Sequence, residues 1–212
     1  MLLVSLLGSM LVLVLIATWV WMRVRPPVVH IYKELDLDWY LDERSHTGDL
    51  IFFKRAGVDL LHRLVSPMTH VALVVMHPVS GEPWVVEMHD EKTVPGSRDG
   101  VHAYPARQRL GDTDECLFVV PIRRASNYQR IMDVVENVKD TPYPSHMRRK
   151  VATCKLAPWM PRTDRGMICS EFVAFLLDQT GILPGNWQCL TPSDLLGRAT
   201  CSTAYQEPYA LK

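Results

Sequence analysis

The stretch Ile168-Cys169-Ser170-Glu171-Phe172-Val173-Ala174-Phe175-Leu176-Leu177 constrains the chain more than any other. Phe172, Val173, Leu176 and Leu177 follow Cys169 at the intervals of one helix face, and Gly181 and Pro184 close the run. A helix this apolar has to be covered, so the fold is built around it, with Cys169 in the first turn and in line with the core face. The first N–H groups of a helix lack intrahelical partners and, with the macrodipole, favour a thiolate there. Cys169 is therefore either a nucleophile or a structural cysteine, because free Cys is among the most buried residue types.

A chain of 212 residues holds one substantial core, so a single main domain is expected. Lys+Arg and Asp+Glu both number 23, and a net charge of zero supplies no field that would draw nucleic acid. Five cysteines without CxxC pairs argue against a disulfide framework and a zinc knuckle, and fit a reducing compartment. There is no internal repeat, Gly-rich phosphate loop or metal-ligand spacing, so neither metal nor cofactor is expected.

Met1 to Met22 carries no charged residue, and such a run spans about 30 Å of hydrocarbon as a helix. Trp19 and Trp21 sit near its end and Arg23 and Arg25 follow. The expectation is a single-pass transmembrane anchor over 1–22 rather than a cleaved signal peptide. The bilayer is then a partner, and the positive-inside rule leaves the remainder in the cytoplasm.

Residues 23–46, opening on Arg25-Pro26-Pro27, read as a linker and docking segment containing a short strand or helix. The main domain is expected over 47–199 and a loosely attached tail over 200–212. Within the domain, Thr47-Gly48-Asp49 is turn chemistry before a strand at Leu50–Phe53, and Gly57 to Val65 has helical spacing. Strands are expected at Val71–Met76, opened by Thr69-His70, and at Trp84–Met88, paired as an antiparallel hairpin. Val101 to Leu110 reads as irregular and then briefly helical, and Cys116 to Ile122 as a strand. Ser126 is the expected cap of a helix to Val138, and Thr191-Pro192-Ser193-Asp194 caps another. Arg148, Arg149, Lys150 and Lys155 form a basic stretch, either a solvated surface or a contact for anionic headgroups.

The hairpin carries a geometric inference. Any register that keeps Val71, Leu73 and Val75 on one face with Trp84, Val86 and Met88 sends His70 and Glu87 to the opposite face, in contact directly or one pair diagonally. A carboxylate beside an imidazole fixes its tautomer and raises its pKa. The alternative is a polar sheet face wetted by solvent, with His89 as a further member.

These pieces resemble, in order, one family. Gly48-Asp49-Leu50-Ile51-Phe52, Thr69-His70-Val71-Ala72-Leu73-Val74, Trp84-Val85-Val86-Glu87, Thr141-Pro142-Tyr143, Cys169-Ser170-Glu171-Phe172-Val173 and Thr191-Pro192-Ser193-Asp194-Leu195 are similar to motifs of the NlpC-type papain-like superfamily. The order, histidine before cysteine, is that of its circularly permuted YiiX/YaeF-like amidases. The resemblance implies an α+β permuted papain-like fold, an antiparallel sheet packed against the cysteine helix, here preceded by the transmembrane helix. It makes Cys169 the nucleophile, His70 the general base and Glu87 the residue orienting His70, and it places Tyr143 near the site as an oxyanion or substrate contact. The stretch from Tyr143 to Cys169 is long for the family.

The implied function is a membrane-anchored thiol hydrolase that cleaves an amide or ester of an acylated, lipid or peptide substrate through an acyl-enzyme on Cys169. Acyl transfer of the lecithin:retinol acyltransferase type is a rival, although relatives there carry Asn-Cys-Glu where this chain has Cys169-Ser170-Glu171. A catalytically idle membrane protein that binds a lipid or a partner is the remaining alternative.

Overall fold

Near-continuous apolar runs decide the sheet, because a strand covered on both faces has no reason to alternate. The computed structural model describes residues 10, 12–18, 20, 29–31, 33–56, 66–91, 97–111, 113–156 and 166–212. Among the described residues, seven strands, β1 (Lys33–Leu35), β2 (Leu50–Lys54), β3 (His70–Met76), β4 (Pro83–His89), β5 (Gly100–Pro105), β6 (Cys116–Val120) and β7 (Tyr209–Leu211), form one sheet in the order β1-β7-β6-β2-β3-β4-β5. Pairing is antiparallel throughout except between β1 and β7, which run parallel. The α+β architecture therefore contains a mixed sheet, not the purely antiparallel one expected.

Among the described residues, the helices that follow β1 are α1 (Leu37–Glu43), α2 (Ala106–Gly111), α3 (Tyr128–Val138), α4 (Met147–Leu156), α5 (Cys169–Gln179) and α6 (Pro192–Thr200). One sheet face, including Leu50, Phe52, Val71, Leu73, Val86 and Met88, lies under Phe172, Val173, Leu176 and Leu177 of α5, with α3 and α6 beside it. The other face, including Ile51, Phe53, Ala72, Val74 and Val85, is covered by Tyr40 and Leu41 of α1 and by Ala106 and Leu110 of α2. Burying a side chain of this size contributes about 1.5–3 kcal/mol, so the two apolar layers are what hold the sheet flanked.

Among the described residues, no helix is long and apolar enough to cross a membrane. That overturns the anchor expected over 1–22 and the single-pass membrane localisation drawn from it. A span needs about 20 consecutive apolar helical residues; what is described there is helix at 10, 12–18 and 20, and the rest lies outside the described residues. Without the span, the orientation argument from Arg23 and Arg25 and the bilayer contact lose their basis.

Other differences are local. The tail is not loosely attached: Tyr205 is buried with its hydroxyl donating to the Gly48 carbonyl at 3.1 Å, and β7 inserts between β1 and β6. The docking segment supplies both a strand and a helix, β1 and α1. Val101 to Pro105 is strand, not irregular; Pro105 is tolerated because it is the last residue of an edge strand. The cap of α3 is Asn127, whose side chain accepts from the Arg130 N–H at 3.1 Å, while the Ser126 N–H is used on the Thr47 carbonyl. The helix expected over Gly57 to Val65 lies outside the described residues, as do the side chains of Arg148 and Arg149.

Candidate active site

The register of the hairpin comes first. Leu73 lies opposite Val86 and Val75 opposite Trp84, which sets Glu87 across from Ala72 and leaves His70 one pair further along on the same face. The diagonal contact follows: His70 Nε2 and Glu87 Oε2 are 2.5 Å apart, and both side chains are buried. Glu87 has a second partner, Arg109 of α2, whose Nε donates to Oε1 at 2.6 Å and whose Nη2 donates to Oε2 at 3.3 Å.

The entry to β3 is pinned from α6. Thr191 and Asp194 cap that helix reciprocally, and Ser193 on its first turn accepts from the Met68 N–H at 3.1 Å and lies 3.0 Å from Ser66 Oγ. The segment that delivers His70 is thus tied to the helix following the cysteine helix.

Cys169 is the first residue of α5 and only 3% exposed. Ile168, in the cap position, has no polar side chain to offer the helix, so half of a capping box is present. Glu171 Oε2 accepts from the Ile168 N–H at 3.2 Å. The same carboxylate accepts from the Cys189 N–H at 2.8 Å and from Lys150 Nζ at 2.5 Å, and Lys150 also donates to the Gly166 carbonyl. Ser170 Oγ donates to the Leu190 carbonyl at 2.5 Å. Lys150 and Lys155 are therefore not a solvated basic face: Lys155 pairs with Asp194 at 2.6 Å, and both lysines join α4 to the two helices of the site.

Cys169 and His70 meet where β3 and α5 begin, near enough for the thiol to act on the imidazole by charge and hydrogen bonding. With Nε2 committed to Glu87, Nδ1 is the nitrogen left for the sulfur. Burial alone would lower the pKa of His70; Cys169 and then Glu87, by charge and hydrogen bonding, outweigh it and push the imidazole up to about 10. Burial alone would raise Glu87; His70 first and Arg109 second bring it down to about 2.

Tyr143 stands on the turn between α3 and α4, packed against the core beside Cys169. Its hydroxyl donates to Met147 Sδ at 3.1 Å and is held well above the usual tyrosine range, by burial first and then by the neighbouring Cys169. Gly166 lets this turn approach: a Cβ there would fall 2.4 Å from the Pro142 carbonyl oxygen. Among the described residues no group of three or more His, Cys, Asp or Glu is arranged to hold a metal.

Sequence reasoning missed two residues near this chemistry. Arg109 belongs to no motif and meets Glu87 only because α2 turns back from β5. Cys189 is disulfide-bonded, while Cys116, Cys169 and Cys201 are free; a bridge runs against the reducing compartment inferred from the cysteine count. His89, left ambiguous by the sequence, stacks on the His102 ring of β5, with Nδ1 donating to the Asp90 carbonyl at 2.9 Å and Nε2 3.1 Å from the Tyr104 hydroxyl. In comparisons with known proteins, no family model and no curated protein matches the chain.

Proposed function

We propose that the protein is a cysteine hydrolase that cleaves an amide or ester bond of an acylated, lipid or peptide substrate. The observation that carries this reading is His70 standing beside Cys169 on one side and bonded to the Glu87 carboxylate, 2.5 Å away, on the other. A thiol next to an imidazole whose far nitrogen is fixed is the arrangement that yields a reactive thiolate–imidazolium pair. The resemblance to the permuted papain-like amidases points the same way.

In the reaction, Cys169 Sγ attacks the carbonyl carbon and forms the C–S bond. The developing oxyanion is met by the Cys169 backbone N–H, which has no partner within the helix, and by the neutral Tyr143 hydroxyl after it leaves Met147. His70 passes its proton to the leaving nitrogen or oxygen as the C–N or C–O bond breaks. A water then gives a proton to His70 and adds to the thioester, and the C–S bond breaks to release the acid and restore the thiol.

The test is alkylation of the full chain with iodoacetamide near neutral pH. Cys116 and Cys201 are free and exposed whereas Cys169 is buried, so accessibility alone ranks Cys169 last. The expected result is that Cys169 reacts first and that His70→Ala slows it at least tenfold. Labelling of Cys169 no faster than that of Cys116 and Cys201 would sink the enzyme reading. Mass spectrometry of products from an acylated substrate, with and without an added amine, then separates hydrolysis from acyl transfer.

A further inference from the structure

Glu87 is completely buried, and His70 occupies only one of its oxygens. The other is taken by Arg109, itself only 9% exposed at its side chain, with two nitrogens engaged on the carboxylate. The guanidinium lies over the Phe53 ring at 4.6 Å, and that ring is 5.2 Å from the His70 ring. A cation held this way cannot turn toward solvent without abandoning both the carboxylate and the aromatic face.

We propose that Arg109 is a positioning residue for the reaction: by clamping Glu87 it holds Oε2 on His70 Nε2 and completes a buried run of alternating charges from Cys169 through His70 and Glu87 to Arg109. The proposal rests on the hydrolase reading above. Its physical content is that the active ion pair, thiolate and imidazolium, plus Glu87 and Arg109 carries no net charge. Removing Arg109 leaves an odd negative charge among buried side chains, and the group best placed to relieve it is Glu87, by taking up a proton. A protonated Glu87 holds the imidazolium far less strongly.

Among the described residues, no other group packed around Glu87 and His70 does the work of Arg109. His89, on β4, donates from Nδ1 to the Asp90 carbonyl, and burial keeps it below its usual pKa, so it adds no charge near neutrality. Tyr104, on β5, is raised by burial and then by Glu87, and stays neutral. His102, opposite Glu87 in the register, has its Nε2 on the Arg98 carbonyl at 2.6 Å. On the far side of His70 stand Cys169 and, beyond it, the neutral Tyr143.

The experiment is the pH profile of iodoacetamide alkylation at Cys169 in the full chain, read by peptide mass spectrometry with Cys116 and Cys201 as internal controls. Arg109→Gln is expected to move the acid limb of the profile toward neutrality by about one pH unit, a roughly tenfold slower reaction on that limb. Arg109→Lys, which restores charge without the fork, is expected to fall between the two. In a Glu87→Gln background, Arg109→Gln is expected to add almost nothing, as for two members of one unit. That double variant also leaves no unpaired buried charge, so it reports even where Arg109→Gln alone unfolds. A wild-type profile in Arg109→Gln, or full additivity with Glu87→Gln, overturns the proposal. If wild-type Cys169 reacts no faster than the two controls, it is the hydrolase reading that falls.

Discussion

His70 and Asp49 are both buried and both shifted, but for opposite reasons. His70 is raised from 6.5 to about 10 by its partners against burial. Its folded form therefore holds a proton that the unfolded chain gives up, and its contribution to stability is complete below pH 6.5 and lost as pH rises through about 10. Glu87, lowered from 4.5 to about 2, contributes fully above pH 4.5 and loses that contribution as pH falls toward 2. NMR titration of the His70 ring is expected to give an imidazolium well into the alkaline range in wild type. Glu87→Gln should shift that titration downward; an unchanged titration would mean that Glu87 does not hold the ring's charge. Asp49 instead is pushed up from 3.8 to about 6 by burial, even though it accepts from the Ile122 N–H, the His46 N–H and the Tyr40 hydroxyl. The folded state binds this proton more tightly, so Asp49 favours folding most below pH 3.8 and less as pH rises through about 6. Asp49→Asn keeps one acceptor where three donors need satisfying, and should cost about 2 kcal/mol in chemical denaturation at pH 7. Its deficit against wild type is expected to widen as pH drops from 6 toward 4.

The start of α5 shows how a helix with no polar residue in the cap position is nonetheless fixed. Glu171 serves three donors from three places: the residue before the helix, the turn at Cys189, and Lys150 on α4. Lys150→Met removes one partner and leaves a carboxylate that is 2% exposed with only backbone donors. The expected loss is about 3 kcal/mol in a denaturant melt, with slower alkylation of Cys169 because its turn is no longer held. Equal stability would show that Lys150 is not needed to balance Glu171. Parts of this arrangement were legible in the sequence. The spacing of Phe172, Val173, Leu176 and Leu177 reported the buried face, and Thr191-Pro192-Ser193-Asp194 reported the cap of α6, because both signals are local and periodic. That His70 and Glu87 share a sheet face was legible too, since period-two alternation allows only one face assignment for both strands, whereas the choice between a direct and a diagonal contact waited on the register. Lys150 read as a surface charge because nothing local distinguishes a basic residue that meets water from one that meets a carboxylate 21 positions away. Arg109 was hidden for the same reason: its partner depends on how β5 and α2 fold back.

The whole sheet was only partly readable, and the failures concentrate at its ends. The central strands announced themselves as apolar runs, whereas β1, β5 and β7 lie at or near the margins and carry mixed sequences such as Lys33–Leu35. Short segments of this kind take their conformation from the neighbour they pair with, not from their own preference. The expected apolar anchor failed differently, because composition described a stretch whose described portion forms no spanning helix. Leu35 lies beside Leu211, the Leu37 N–H donates to the Lys212 carbonyl at 2.8 Å, and the Lys212 N–H donates to the Leu35 carbonyl at 3.0 Å. Among the described strands, β1 has no neighbour other than β7. Backbone amides of both strands are therefore expected to exchange with deuterium at a common rate, faster than those of β3 and β4, as one small cooperative unit. Protection of β1 that survives when β7 opens would disprove the coupling. One nick between Cys201 and Tyr209 would then loosen both β7 and the edge strand β1 at once, making the stretch just before the final strand a hinge on which the opposite end of the polypeptide also hangs.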